Sequence, residues 1–357
     1  MRRPLLSKAI MILVGLVIGF ILSELVLRLT EKREAVKYVQ RDEYYVYPPS
    51  KTIPAKNEDN EDVILRTDEF GLRNEKNSLS KAEVIVLGDS CVAAVNTPDD
   101  ASLAGRMRAK GLRVYNAGMD GFGTAQEFLL LRDLLMTAHP RVVILGFYLG
   151  NDFRDNYFSK VPDADTGRGA APASLPGLAS RLKNILKSSR IVRFIQQKFV
   201  FPARGRKEIL LSYPLSEMES YRLTYDGPMA EAAEQTKQAL GRIADVLKEK
   251  GISFIVMGIP SKAQVSRSFY EISQFDEDKR SKSYALGVIH KGFSFDRPDA
   301  VLSEIVRALG ISYVSLLPIF RTCAASELYF KIDHHWNAKG QEVAAEAVLK
   351  ALPAGSI

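Results

Sequence analysis

The chain has 357 residues, of which 46% are hydrophobic and 25% charged; this composition excludes an intrinsically disordered protein and allows one large domain or two small ones. The formal net charge is +7, but nine basic residues lie between Arg181 and Lys207, a stretch without any acidic residue. Because the basic charge is local and lacks a broad face with groove-reading elements, the composition argues against nucleic acid as a partner.

The first thirty residues have the pattern of a membrane segment. A basic tip precedes an apolar run from Ala9 to Leu22, and the apolar character continues to Leu29. A cleaved signal peptide and an uncleaved anchor both fit, and we favour the anchor because no small-x-small cleavage site follows the run. We therefore predict a cytoplasmic tip and transmembrane anchor over residues 1–30. The positive-inside rule then predicts a single-pass protein of the inner (cytoplasmic) membrane, with the residues after Leu29 outside the cytoplasm.

Residues 31–81 are polar, rich in tyrosine and interrupted by three prolines. We interpret this stretch as a linker followed by an edge hairpin around Asp68-Glu69-Phe70-Gly71, since Asp and Gly are typical turn residues and proline is tolerated at sheet edges.

From Glu83 onward, short apolar runs alternate with helical patterns, which predicts a parallel sheet with crossover helices. The predicted strands cover residues 83–88, 112–116, 141–147, 252–258 and 311–316, and the predicted helices cover 100–110, 124–138, 229–250, 298–309 and 338–351. The predicted fold is an α/β three-layer α/β/α sandwich in a domain over residues 82–352.

An insertion over residues 157–225 interrupts this alternation. It contains a Gly/Ala/Pro-rich loop followed by the basic stretch, and apolar residues recur near helical spacing over residues 178–199. This spacing predicts an amphipathic helix. Such a helix either packs on the domain with a solvated basic face or docks to a membrane with anionic lipid or to an anionic polymer.

The first candidate site residue follows the first predicted strand of the sheet. Four apolar residues, Val84-Ile85-Val86-Leu87, lead into Gly88-Asp89-Ser90. Ligands of open α/β sheets bind at the carboxyl ends of the strands, and a serine on a sharp strand-to-helix turn exposes its hydroxyl for nucleophilic attack. The alternative is that Ser90 is merely a helix N-cap.

Three further blocks fall on the same rim of the predicted sheet. They are the glycine-rich loop 116–123, the segment Leu149-Gly150-Asn151-Asp152, and Asp333-His334-His335-Trp336-Asn337. Each alone is compatible with an ordinary turn or surface loop. Together they supply the residue types needed for a nucleophile, an oxyanion hole and a base.

In this order, the four blocks resemble those of the SGNH (GDSL-type) hydrolase family over about residues 60–352. The resemblance implies a flavodoxin-like parallel sheet, with the nucleophile on Ser90 and the base on His335, oriented by Asp333. It also implies an oxyanion hole of the Ser90 and Gly121 backbone amides and the Asn151 side chain. The compact Asp-x-His-Trp block resembles the membrane-anchored bacterial-type branch that includes alginate O-acetylation proteins.

Two adjacent histidines compete for the role of base. If the segment entering the last helix is an extended or turn-like loop, Asp333 and His335 point roughly the same way and His334 points away, so we favour His335. Trp336 is expected to pack beneath as part of the core.

The resemblance implies a membrane-anchored serine esterase that removes acyl groups, such as acetyl, from an ester or acylated carbohydrate substrate outside the cytoplasm. An O-acyltransferase acting on an envelope or exported polysaccharide is the alternative, since both reactions need the same acyl-enzyme. A non-catalytic envelope scaffold is the third hypothesis.

No cofactor and no metal are expected, because the chain has only four histidines and its two cysteines lack ligand spacing. Cys91 and Cys323 allow a disulfide in an oxidising compartment, but we favour Cys91 as a small buried hydrophobic residue.

Overall fold

The computed structural model describes residues 38–158, 217–268, 292–331 and 333–353, together with five single positions between residues 11 and 23. The chain divides into two compact units, one formed by residues 1–35 and 163–213 and the other by 36–162 and 214–357. All elements below belong to the second unit.

Two predicted segments fall largely or wholly outside these residues. The membrane anchor within residues 1–30 is described only at the five single positions, and the amphipathic helix 178–199 is not described. Within the described part of the chain, no helix combines the length and apolar character required to span a membrane.

The N-terminal part of the second unit contains two small antiparallel hairpins. Strand β1 (Val39–Gln40) pairs with β2 (Tyr45–Val46), and β3 (Thr52–Lys56) pairs with β4 (Asp62–Arg66). The hairpin predicted around residues 68–71 is therefore misplaced, since the β3–β4 chain reversal lies at residues 57–61. Asp68 instead closes a separate turn by accepting the backbone N–H groups of Phe70 and Leu72 at 2.9 and 3.0 Å.

Much of the stretch predicted as a linker belongs to the core. Tyr47, Leu65, Leu72 and Leu79 are each at most 3% exposed and pack in one apolar cluster with the central sheet. The polar composition of residues 31–81 obscured these apolar side chains, because they are widely spaced and become buried only through long-range contacts.

Five parallel strands form the central sheet. They are β5 (Val84–Gly88), β6 (Val114–Gly118), β7 (Val142–Tyr148), β8 (Ser253–Ile259) and β9 (Ser312–Ser315). Their order is β6-β5-β7-β8-β9, which places the first strand inside the sheet as in flavodoxin-like folds. The predicted parallel sheet is confirmed, and its strands lie within two residues of the predicted positions.

The helices flank this sheet. They are α1 (Ser90–Ala93), α2 (Leu103–Arg108), α3 (Thr124–Leu134), α4 (Asp152–Phe158), α5 (Gly227–Glu249), α6 (Lys262–Ser266), α7 (Arg297–Ala308), α8 (Leu317–Phe320), α9 (Ala325–Leu328) and α10 (Ala338–Ala351). Short 3₁₀ turns cover Leu79–Lys81, Asp99–Ala101 and Glu217–Tyr221.

Alternate side chains of the strands point into two different apolar clusters. Ile85 and Leu87 pack with helices α3, α5 and α7, whereas Val84 and Val86 pack with α1, α2 and α10. Successive strand residues point to opposite faces, so the sheet has a helical layer on each face. The predicted α/β fold with flanking helices is confirmed.

Candidate active site

A row of three glycines at the carboxyl edge of the sheet lets helix α1 approach closely. Gly88 of β5 lies in register with Gly118 of β6 and Gly146 of β7. A Cβ atom on Gly88 would lie 2.3 Å from Cγ2 of Val92, and one on Gly118 would lie 2.2 Å from the backbone nitrogen of Ala93. A side chain at either position would therefore displace α1, which carries Ser90 at its first position.

The cap of α1 is Asp89, not Ser90. The Asp89 carboxylate accepts the backbone N–H of Cys91 at 2.9 Å. Burial raises the pKa of Asp89 to about 6, although the hydrogen bond from Cys91 and the proximity of His335 act to lower it. The N-cap interpretation of Ser90 is therefore wrong, and the Ser90 hydroxyl is not used as a cap.

Side chains from distant parts of the chain bind the carbonyl oxygens of α1. Trp336 Nε1 donates to the oxygen of Cys91 at 2.8 Å, and Asn116 Nδ2 donates to the oxygen of Val92 at 3.0 Å. Trp336 is 1% exposed, so its predicted place in the core is confirmed. These contacts satisfy carbonyls that a helix end leaves without partners.

Arg73 holds the segment that follows α1. Its guanidinium is 1% exposed and donates to the carbonyl oxygens of Ala93, Ala94 and Thr97, the last at 2.6 Å. The residues after Ser90 are therefore fixed from within the protein.

Ser90, His335 and Asp333 form a hydrogen-bonded chain. Nε2 of His335 lies 2.8 Å from Oγ of Ser90, and Nδ1 lies 2.5 Å from Oδ1 of Asp333. With its proton on Nδ1, the ring donates to Asp333 and accepts the Ser90 hydroxyl proton. This geometry is that of a nucleophile, a general base and its orienting acid.

The segment that carries Asp333 and His335 bends between these two residues. His334 has a φ of 65°, in the left-handed region, so the segment is a turn-like loop, one of the two conformations predicted. Asp333 and His335 meet because the chain turns at His334, while the choice of His335 as the partner of Ser90 agrees with the geometry.

The electrostatics of the pair favour a charged imidazole. Desolvation acts to lower the pKa of His335, but the hydrogen bond and charge of Asp333, with the charges of Asp89 and Asp120, outweigh it and raise the pKa. Burial acts to raise the pKa of Asp333, but the hydrogen bond and charge of His335, with the hydrogen bond from Asn96, outweigh it and lower the pKa. An imidazolium formed during catalysis is therefore stabilised. The side chains of His335 and Asp333 are 30% and 36% exposed, respectively, so the site is open to a substrate.

The two other predicted oxyanion residues follow the strands on either side of β5. Gly121 lies in the loop after β6, and Asn151 directly precedes α4 after β7. Gly121 has a φ of 70°, which favours glycine, and a Cβ there would lie 3.1 Å from the Tyr45 hydroxyl. Oδ1 of Asn151 is buried and accepts no hydrogen bond. Their roles as oxyanion donors remain predictions.

Sequence reasoning missed three residues that contact the triad or the segment after the nucleophile. Arg73 binds the chain after α1, Asn96 donates to Asp333 Oδ2 at 2.5 Å, and Glu58 accepts the backbone N–H of Asp333 at 2.9 Å. Asn96 and Asp333 are 237 residues apart in the sequence, so no local sequence pattern predicts their contact.

Both cysteines are free thiols, which contradicts the disulfide alternative. Cys91 is 3% exposed in the apolar cluster beneath α1, as expected for a small hydrophobic residue. Among the described residues, no group of three or more His, Cys, Asp or Glu side chains is arranged to hold a metal ion.

The C-terminal part of the chain matches a known family. Residues 219–356 match the family model described as "SGNH hydrolase-like domain, acetyltransferase AlgX". The matched region includes Asp333 and His335. It begins after Ser90, Gly121 and Asn151, so it does not include them. The predicted resemblance to SGNH hydrolases is confirmed, as is the enzyme class of serine ester hydrolase or O-acyltransferase. No curated protein matches the chain.

Several solved structures are similar to the chain. The acetyl xylan esterase AlAXEase has 12% identity and a TM-score of 0.41, covering 76% of this chain and 99% of its own. TesA has 15% identity and a TM-score of 0.39, covering 75% and 97%. A catalytic mutant of Axe2, an acetylxylan esterase from Geobacillus stearothermophilus, has 11% identity and a TM-score of 0.39, covering 75% and 92%. Similarity at these levels says nothing about the activity of this chain.

Proposed function

We propose that this chain, whose C-terminal part carries an SGNH hydrolase-like domain, is an enzyme that takes an acyl group onto Ser90 and passes it to a hydroxyl acceptor. The observation that carries the proposal is the continuous hydrogen-bonded chain from Ser90 Oγ through His335 to Asp333. A serine hydroxyl is too weakly acidic to attack an ester unaided, and the imidazole of His335 provides the base that it needs.

In the first half of the reaction, Oγ of Ser90 attacks the acyl carbonyl while Nε2 of His335 takes the hydroxyl proton. Asp333 holds the ring and stabilises the imidazolium. Backbone N–H groups at Ser90 and Gly121, with the Asn151 side chain, are proposed to bind the oxyanion, where losing one donor typically costs about 3 kcal/mol of transition-state stabilisation. His335 then returns the proton to the leaving group, and the acyl group remains on Ser90.

In the second half, an acceptor hydroxyl gives its proton to His335 and attacks the acyl carbon. The bond from this carbon to Ser90 Oγ then breaks, and His335 returns the proton to Oγ. With water as the acceptor the reaction is hydrolysis, and with a sugar hydroxyl it is O-acyl transfer. The match of residues 219–356 to an acetyltransferase family supports acetyl transfer, with ester hydrolysis as the second candidate function.

We further propose an acylated carbohydrate as the substrate and the extracytoplasmic face of the inner membrane as the location. The partly exposed side chains of Asp333 and His335 are compatible with a bulky substrate. The apolar run from Ala9 to Leu22, behind a basic tip, supports a membrane anchor that extends to about Leu29.

The test follows acetyl from an activated ester incubated with the full chain, with and without oligosaccharide acceptors. We expect acetyl on the oligosaccharide, or free acetate if hydrolysis dominates. Ser90→Ala should abolish both products without changing the thermal unfolding midpoint, because it removes the nucleophile and leaves the packing of α1 intact. Ser80→Ala, at an exposed serine, is the control. Turnover by Ser90→Ala within about tenfold of the wild type would refute the proposal.

A further inference from the structure

The acid of the triad is too exposed to be oriented by burial alone. The Asp333 side chain is 36% exposed, and its Oδ1 bonds to His335. Pairs of this kind are weak and mobile in water unless other contacts fix their geometry. Two residues from distant parts of the chain, Asn96 and Glu58, supply such contacts.

Asn96 binds the carboxylate oxygen that His335 does not use. Its Nδ2 donates to Oδ2 of Asp333 at 2.5 Å. The loop that carries Asn96 is itself fixed, because Arg73 binds the carbonyl oxygens of Ala94 and Thr97 on either side of it. With Oδ2 bound in this way, Oδ1 stays directed at the imidazole.

Glu58 binds the backbone that carries Asp333. It lies in the β3–β4 turn, and its carboxylate accepts the backbone N–H groups of Lys331 and, at 2.9 Å, of Asp333. The turn is stiffened by Asn57, whose Nδ2 donates to Glu61 Oε2 at 2.8 Å and whose Oδ1 accepts the Glu61 N–H at 3.0 Å. The hairpin thus presents a carboxylate to the catalytic loop from outside that loop.

We propose that Asn96 and Glu58 are positioning residues of the triad: Asn96 fixes the rotation of the Asp333 carboxylate, and Glu58 fixes the main chain beneath it. The β3–β4 hairpin is then part of the catalytic apparatus, although neither residue touches the nucleophile. The inference rests on the proposed function, since it assumes that Ser90, His335 and Asp333 act together.

The first test measures how fast a fluorophosphonate labels Ser90 in the full chain. In this reaction the serine oxygen bonds to phosphorus, fluoride leaves, and the hydroxyl proton passes to His335, so the rate reports serine activation without a known substrate. Asn96→Leu should slow labelling roughly tenfold, the scale expected for a modest misplacement of a catalytic group. Unchanged labelling would overturn the role of Asn96.

Glu58→Gln should slow labelling in the same direction, because a neutral amide is a weaker acceptor for two N–H groups. Asp59→Asn is the matched control: it makes the same charge change in the same turn at an exposed residue. The control should label at the wild-type rate. Equal slowing by Glu58→Gln and Asp59→Asn would mean that the turn acts through charge alone and would overturn the role of Glu58.

A double-mutant cycle separates positioning from a general structural role. In an Asp333→Ala background, Asn96→Leu and Glu58→Gln should cause no further slowing. The carboxylate that Asn96 holds directly, and that Glu58 holds through the main chain, is then absent. The thermal unfolding midpoint should not change between Asp333→Ala and either double mutant. Slowing of equal size in both backgrounds would overturn the proposal.

A measurement independent of activity distinguishes this inference from the proposed function. The hydrogen bond from His335 Nδ1 to the Asp333 carboxylate should give a downfield proton resonance that Asp333→Ala abolishes. Asn96→Leu and Glu58→Gln should weaken it, whereas Asp59→Asn should not. If wild-type Ser90 resists labelling but the resonance responds in this way, the proposed function fails and the positioning role stands. A resonance that neither variant changes would refute the positioning role.

Discussion

Proton transfer from Ser90 depends on the charge state of one imidazole. Five carboxylate or hydroxyl groups lie around it: Asp333 on its own loop, Asp89 at the N-cap of α1, Ser90 on α1, Asp120 after β6, and Glu58 against the backbone of Asp333. Asp333, Asp89 and Asp120 favour the imidazolium, and together they outweigh its desolvation. The base is therefore strong, but it is protonated over a wider acidic range than a free histidine.

A pH profile follows from that shift. Because His335 must be neutral to accept the serine proton and its pKa lies above 6.5, kcat/KM should fall as the pH drops through a midpoint above 6.5. Asp333→Asn should move this midpoint downward, since it removes the largest interaction that raises the pKa. The measurement is the rate of hydrolysis of an activated acetyl ester against pH. A wild-type midpoint below 6.5 would contradict the assignment of the base.

Replacing each of the two adjacent histidines tests which one acts. His335→Gln should lose about a hundredfold or more in turnover, the usual scale for removing a general base. His334→Gln should lose far less turnover, because His335 is the residue that is hydrogen-bonded to both Ser90 and Asp333. Turnover of a short-chain aryl ester by both variants gives the ranking. The reverse ranking would assign the base to His334.

At the scale of single elements, helix α1 depends on contacts with the rest of the protein for its stability. It has four residues, too few for helix propensity to stabilise it. Its stability comes from outside: the glycine row beneath it, the Asp89 cap, and the side chains of Trp336, Asn116 and Arg73 on the carbonyls at its C-terminal end. The nucleophile is thus positioned by tertiary contacts.

Arg73→Met tests this dependence. The substitution keeps a long side chain but leaves the carbonyls of Ala94 and Thr97 without their donor, which should cost roughly 3 kcal/mol of the free energy of unfolding. Ester turnover should fall as well, since the segment after Ser90 loses its anchor. Chemical denaturation gives the first quantity. Arg307→Met, at an exposed arginine of α7, is the control and should change neither. Wild-type stability in Arg73→Met would show that α1 does not rely on this contact.

The elements of the sheet were predictable because their signals are local. Val84 to Leu87 form an unbroken apolar run that is buried on both faces, and the helices that follow have amphipathic periodicity. The predicted last helix, 338–351, has the observed bounds because Asn337 caps it, accepting the N–H groups of Lys339 and Gly340. The β3–β4 hairpin was misplaced because turn residues occur both at 57–61 and at 68–71, and composition does not say which turn joins two paired strands.

The candidate site was predictable to the extent that its residues follow strands. Ser90, Gly121 and Asn151 follow β5, β6 and β7, and parallel strands bring their carboxyl ends to one edge. Asn96 and Glu58 were not predictable, because an asparagine in a loop and a glutamate in a turn are ordinary there. Only the folded molecule brings them to Asp333.

At the scale of the whole molecule, the second compact unit buries acidic side chains close to its reactive edge. Asp89, Glu127 and Asp152 are each at most 2% exposed. Both carboxylate oxygens of Glu127 lack a hydrogen-bond partner. Desolvation raises the pKa of Glu127 well above its ordinary value, and the charge of Asp89 raises it further. A buried carboxylate without a partner is expected to be neutral, so folding takes up a proton here.

This proton uptake gives stability a definite dependence on pH. A carboxyl group whose pKa is raised in the folded state destabilises the fold as the pH rises above its unfolded value of 4.5, by up to about 1.4 kcal/mol per pH unit, until the pH reaches the folded pKa. Glu127→Gln removes the titration while keeping the shape. It should therefore raise the thermal unfolding midpoint more at pH 8 than at pH 5, because at the lower pH the wild-type side chain is closer to its neutral form in both states. Glu346→Gln, at an exposed position of α10, is the control, and it should change the thermal unfolding midpoint by a similarly small amount at both pH values. If the gain from Glu127→Gln were the same at both pH values, Glu127 would not be the group that takes up the proton.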